Sequence, residues 1–243
     1  MANRSLRRTL PVMVVALSAV AGCAGGAGSP TSPSGPATTL PSATTAAGSA
    51  PSGSSGAART IPASAFLTMP EDMRRERRAA EGSAAVPKLC DRELAAGEGV
   101  VASAAMMNLY QGPDAPEGSV PQGVLYQTIR SYDGDSATGF LDRARDGLAA
   151  CKSFRNGETT IKVRTKPLSG AADEALTIDL VQPQLDLPGD PTGGEQTNRI
   201  VLLRFGSVVT ILYDSEYERS SSDPELVSTF VRDAGEAIRA WRG

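Results

Sequence analysis

The spacing of apolar residues changes several times along this chain, and each change marks an element. Leu10–Ala19 is a short, largely apolar run preceded by Arg4, Arg7 and Arg8 and followed by small residues. That order reads as a secretory signal peptide over 1–22. The run is too short for a bilayer-spanning helix, which needs about 20 apolar residues. From Ala24 to Ala58 the pattern disappears: every residue is Ala, Gly, Ser, Thr or Pro except Leu40. Such a stretch buries too little apolar surface to offset the entropy of ordering it, so a disordered tether is expected over 23–60. As a coil of about 36 residues it spans roughly 30–36 Å.

Periodicity returns at about Ile61 and continues to Gly243, enough chain for one core. Ala63–Leu67 reads as a short opening helix ended near Pro70. Val100–Leu109 suits a buried strand, and residues 124–129 alternate as a second. Ala137, Phe140, Leu141, Ala144 and Leu148 follow i, i+3, i+4 spacing, so a helix begins near Asp135 or Ser136 and carries Cys151 at the end of its stripe. Residues 159–165, 176–181, 200–205 and 208–213 are further strands. Gly206-Ser207 suits a type II′ hairpin, where Gly takes the required positive φ. Asp223-Pro224-Glu225 starts a last helix with a capping carboxylate and Pro at its first position. Val227, Phe230, Val231, Ala234, Ile238 and Trp241 form its apolar face. The expected class is α+β: an antiparallel sheet of about five to six strands, covered by helices on one face, in a single domain over 61–243.

The cysteines place this domain outside the cytoplasm. Val20-Ala21-Gly22-Cys23 resembles the bacterial lipobox, in which the thiol is alkylated by diacylglycerol and cleavage leaves Cys23 as the new amino terminus. Ordinary signal-peptidase cleavage, leaving Cys23 as a stray thiol, is the alternative. With Cys23 lipidated, Cys90 and Cys151 form an even pair in an oxidising compartment, where a disulfide persists. Two buried free thiols are the other reading. A bridge over about 60 residues stabilises by roughly 4 kcal/mol in the chain-entropy treatment. Removing residues 1–22 takes away three arginines and no acid, so the net charge falls from −3 to −6. That argues against nucleic acid as a partner, since phosphate binding needs clustered Lys and Arg.

Chemistry is sparse. The chain has no histidine, which removes the commonest general base and the favoured transition-metal ligand. No Gly-x-Ser-x-Gly elbow or glycine-rich phosphate loop occurs. No catalytic residue, metal site or cofactor is therefore assigned. Asp186, Asp190 and Glu195 share a turn-rich stretch but lack the alternate-position spacing of a calcium loop, so a solvated connection is expected there. Arg74, Arg75, Arg77 and Arg78 are the densest basic run, read as a solvated helix end or loop rather than an anionic-surface contact. Tyr126 and Tyr213 sit in expected strands, where packing under a helix is the simpler role.

The opening Ala65-Phe66-Leu67, Cys90 before a strand, the aromatic strand around Tyr126 and the helix closing on Cys151 have a counterpart. With the glycine hairpin and the C-terminal helix, they make residues 66–241 resemble the PknH-like extracellular sensor domain. That domain occurs on mycobacterial receptor kinases and on actinobacterial lipoproteins, and the 20 Arg against 4 Lys here suit a GC-rich genome. The resemblance implies a cleft between sheet and helices. The kinase version has a second disulfide that this chain cannot make. The expected function is that of a lipid-anchored, extracytoplasmic ligand-binding lipoprotein of sensor type at the cell membrane. Its expected partners are membrane lipid through Cys23 and a small-molecule or glycan ligand. The alternatives are an accessory envelope lipoprotein that binds a membrane protein and, less favoured, an enzyme. A lipid in place of a spanning helix means that inward signalling would require a partner.

Overall fold

The computed structural model describes residues 57–243 apart from 82–84, 117, 187 and 219. The 1–22 segment, Cys23 and almost all of the 23–60 tether lie outside the described residues. Eight strands and two helices follow a single turn of 3-10 helix at Ala63–Ala65. They are β1 (Arg74–Ala79), β2 (Val100–Tyr110), β3 (Gly123–Tyr132), α1 (Ser136–Ala150), β4 (Ser153–Asn156), β5 (Thr159–Pro167), β6 (Glu174–Leu185), β7 (Pro191–Phe205), β8 (Val208–Glu216) and α2 (Pro224–Arg242). The strands form one sheet in the order β1-β2-β3-β8-β7-β6-β5-β4, antiparallel at each described pairing.

The sheet is wider than the five to six strands expected. One addition is the basic run: Arg74–Ala79 pairs with β2 as an edge strand, not a helix end or loop. Charged side chains suit that position because they discourage pairing with another chain. The short β4 closes the opposite edge and carries Arg155. β6 and β7 also run farther than expected, pairing from Glu174↔Arg204 to Leu185↔Pro191. The supposed connection around Glu195 is thus mostly strand. The opening helix shrinks to one turn because Phe66 is already extended, at φ −87° and ψ 144°.

A second correction concerns the layers. Successive strand residues point to opposite faces. On β7, Ile200 and Leu202 pack with Phe140, Leu141 and Leu148 of α1. The intervening Val201 and Leu203 pack with Val227, Phe230 and Val231 of α2. The helices therefore lie on opposite faces, and the inner strands are buried on both sides. Ile178, Ile200 and Leu202 are all fully buried, as are Val208 and Val209.

Local signals explain how each helix is placed. The Asp223 side chain accepts hydrogen bonds from the backbone N–H groups of Glu225 (2.8 Å) and Leu226 (3.3 Å), and Pro224 follows it. Gly206 opens the β7–β8 hairpin at φ +57°. On the α1 face, residues 85–96 cross the sheet as a strap. Its carbonyls accept from Thr128 (Ala85, 3.5 Å), Arg130 (Leu94, 2.9 Å) and Tyr132 (Ala96, 2.9 Å). A disulfide from Cys90 to Cys151, with a Cα–Cα distance of 5.8 Å, ties the strap to the end of α1.

On the α2 face Tyr110 lies across the strand from Gly123 and meets Phe230 edge-on, with ring centroids 5.2 Å apart. A Cβ at position 123 would sit 2.6 Å from the Tyr110 hydroxyl oxygen and 2.8 Å from its Cζ. The ring is fully enclosed and has nowhere to retreat, so Gly123→Ala should cost about 1–3 kcal/mol, the usual range for overpacking. Equilibrium denaturation measures this, and an unchanged midpoint would contradict it.

Candidate functional site

Helix α2 covers only part of its face, and a cleft of about 480 Å³ opens along its margin. Thr177 of β6 and Val201 of β7 form the floor, both at most 4% exposed. Val227 and Val231 of α2 make one wall. Leu168 and Ala171, in the connection from β5 to β6, make the other. Asp173 pins that connection: its backbone N–H donates to the Arg204 carbonyl (3.0 Å), and its carboxylate accepts from the Gly206 N–H (2.7 Å).

Four cations surround these apolar walls: Lys166, Arg199, Arg232 and Arg239. Arg199 is held by Asp179, Nε to Oδ1 at 2.6 Å, and Lys166 approaches the same carboxylate at 4.0 Å. Arg232 pairs with Asp233 at 3.0 Å. Arg239 donates to the Ala171 carbonyl (2.9 Å) and lies over the Phe205 ring, 4.9 Å from its centroid. Among the described residues no carboxylate reaches ion-pair distance of Arg239. Among the described residues no acidic side chain lines the cleft.

Behind the cleft the electrostatics continue into the sheet. Cross-strand partners share a face. Asp179, Arg199 and Asp214 are successive partners on β6, β7 and β8. They make a row of alternating charge that runs inward from the cleft. Asp214 is 2% exposed and accepts a 2.7 Å hydrogen bond from the Tyr110 hydroxyl. Burial pushes its carboxyl up to about 6, although the Tyr110 and Ser222 hydroxyls and the Arg199 guanidinium draw it back down. The same burial, with Asp214 beside it, raises the Tyr110 phenol above its ordinary range.

The residues singled out by sequence lie elsewhere. Cys90 and Cys151 are on the α1 face. Asp186 is occupied by its own turn, accepting from the N–H groups of Gly189 (2.9 Å) and Asp190 (2.8 Å). Glu195 projects from β7 to Lys162 (3.2 Å) and Arg164 (3.6 Å), and the Lys162 hydrogen bond holds it below the usual carboxylate range. The three acids are thus dispersed. Among the described residues the one cluster with metal-ligand spacing is Cys90, Glu93 and Cys151, whose sulfurs are joined to each other. Tyr126 and Tyr213 are half-buried and stack on each other, centroids 6.0 Å apart, instead of disappearing under a helix.

The four cations of the cleft come from three separate stretches of chain, so no linear motif announces them. Arg199 was the available signal, since it borders the apolar run 200–203. Arg232 and Arg239 are the other, seven residues apart and hence on one flank of α2.

The raised carboxyl of Asp214 makes stability depend on pH. Its folded value, about 6, exceeds its unfolded value of 3.8, so the native state takes up the proton first. Its stabilising contribution is complete below about pH 4 and is lost as pH rises through about 6. The loss is roughly 3 kcal/mol at neutral pH, since each tenfold difference in proton affinity is worth about 1.4 kcal/mol. Asp214→Asn should remove this slope and be at least as stable as wild type at pH 7. Denaturation midpoints across pH 4–7 check it, and parallel profiles for the two proteins would refute it.

No protein-family model matches the chain, and no curated protein matches it. Among solved structures it is similar to the crystal structure of the extracellular domain of PknH from Mycobacterium tuberculosis. The likeness has a TM-score of 0.43 at 12% identity and covers 62% of this chain and 70% of that chain. It is a weak, fold-level likeness.

Proposed function

We propose that this chain is a lipid-anchored ligand-binding protein of sensor type on the outer side of the cell membrane. Its α2 cleft takes a small molecule with an acidic head and an apolar body. The carrying observation is the ring of four cations around the Thr177–Val201 floor. The fit is chemical: an acidic group meets Lys166 and Arg239, while the aliphatic part lies against Val201, Val227 and Val231. Mostly apolar concavities with a few polar groups are the usual small-ligand sites. Arg239 suits a carboxylate or phosphate because its guanidinium offers a planar fork of donors. Binding, not turnover, is proposed, because the buried Asp214–Tyr110 pair lies on the same face but under the start of α2, outside the lining of the cleft.

The anchor in this reading is a lipid on Cys23, with residues 24–60 as tether. No described helix is long and apolar enough to cross a membrane. Docking to a membrane protein finds less support: among the described residues Val120, 62% exposed, is the large apolar side chain that stands out in solvent. A docking face would need a contiguous apolar patch of several hundred Å².

Two measurements test this. Calorimetry with hexyl phosphate, against hexanol and inorganic phosphate, should show salt-sensitive binding of hexyl phosphate well above either fragment. The double variant Lys166→Gln/Arg239→Gln should weaken it at least tenfold, about 1.4 kcal/mol. Equal affinity for hexanol, or an unaffected double variant, rejects the cleft. Independently, Cys23→Ala should move the protein from the membrane fraction to the soluble fraction, and retention on the membrane rejects the anchor.

A further inference from the structure

The other sheet face carries a second recess of different chemistry. Beyond α1, β4–β8 and the 85–96 strap enclose about 380 Å³. Leu180 of β6 and Ile161 of β5 lie at its base, both less than 8% exposed. Aromatic rings stand at its two ends: Phe154 on β4 and Tyr213 on β8. Tyr213 continues sideways into the Tyr126 ring, tilted by 19°, so the aromatic surface extends onto β3.

Its polar lining is dominated by amides: Asn156, Gln182 and Asn198, together with Ser215. Asn198 and Ser215 lie one residue beyond the Arg199–Asp214 pair, on the sheet face that carries Ile200 and Tyr213. Asn198 Oδ1 is shielded from solvent and accepts no hydrogen bond from the described residues. Buried acceptors are almost always satisfied, and leaving one empty costs about 1–3 kcal/mol. An O–H or N–H donor brought into this recess would satisfy it. Lys88 on the strap stands exposed at the rim, and among the described residues no acidic side chain lines the recess.

From these features we infer that the recess on the α1 face, between Phe154 and Tyr213, binds an acidic saccharide. Each part of such a ligand has a counterpart. Ring hydroxyls both donate and accept, as do the planar amides of Asn198, Gln182 and Asn156. The apolar C–H face of a pyranose lies on a tyrosine or phenylalanine ring. A carboxylate or phosphate on the sugar meets Lys88. The α2 cleft differs in having aliphatic walls and no comparable amide set, so the two sites take different ligands. The Cys90–Cys151 bridge has a role here too, because it fixes the strap that supplies Lys88 and one wall.

Amide-resolved NMR titration of the full chain, with its disulfide formed, tests this using tetragalacturonate and the neutral cellotetraose. Tetragalacturonate should perturb the side-chain amides of Gln182 and Asn198 and the backbone around Tyr213, leaving Val227–Val231 unmoved. It should bind at least fivefold more tightly than cellotetraose at low salt. Asn198→Ala and Tyr213→Ala, each checked for an unchanged overall spectrum, should each weaken it at least fivefold. Should Tyr213→Ala disturb the fold, Gln182→Ala replaces it with the same expectation. Loss of hexyl phosphate binding in the α2 cleft would leave this site standing. The inference is overturned if neither sugar perturbs the recess at 10 mM, if the two bind equally, or if the variants bind like wild type.

Discussion

Two helices cannot cover both faces of an eight-stranded sheet, and most of this molecule follows from that mismatch. Strands spaced about 4.8 Å apart make a sheet roughly 34 Å wide, while a helix with its side chains is about 10–12 Å across. With one helix on each face, the stretches of the inner strands under the helices are sealed by aliphatic residues, and the stretches beyond each helix are left open. The open parts carry the chemistry. On the α2 side they hold Lys166, Asp179, Arg199 and Glu195; on the α1 side, the Tyr126–Tyr213 stack and the amides of β6 and β7. Both recesses are margins where a helix stops and the sheet continues.

The same geometry explains the buried charge. Asp214 sits where the polar row from the cleft runs beneath the start of α2, and it is retained there by Tyr110 and by the nearby Arg199. A buried ion is expensive unless compensated, and the compensation comes from neighbours one strand away. Gly123 is part of it: the absence of a side chain there gives Tyr110 room to reach the carboxylate. On the other face the disulfide does comparable work, holding a long irregular strap on a sheet half that has no second helix.

Much of this was legible in the sequence, and what was missed has identifiable causes. Helices α1 and α2 were readable because their stripes and the Asp223-Pro224 start are local signals. The Gly206 turn was readable for the same reason. The placement of both helices on one face ignored a visible sign. Ile200-Val201-Leu202-Leu203 and Val208-Val209 do not alternate, and consecutive apolar residues in a strand mean that both faces are covered. Edge strands β1 and β4 were hidden because an edge is solvated and polar, and Arg74–Arg78 looks like surface in any conformation. The cleft as an assembled site was not readable. Its cations lie at 166, 199, 232 and 239, and only the crossing of β5, β7 and α2 brings them together.

In the functional reading the domain offers two chemically distinct recesses on opposite faces of its sheet. The central claim is that the α2 cleft is occupied by an acidic amphiphile where the protein works. Native mass spectrometry of the protein released gently from its own envelope tests it most directly. An adduct of a few hundred daltons should accompany the wild-type chain, dissociate on collisional activation as an anion, and be lost from the Lys166→Gln/Arg239→Gln variant. Bare polypeptide in both samples, or an adduct that persists unchanged in the variant, would contradict it.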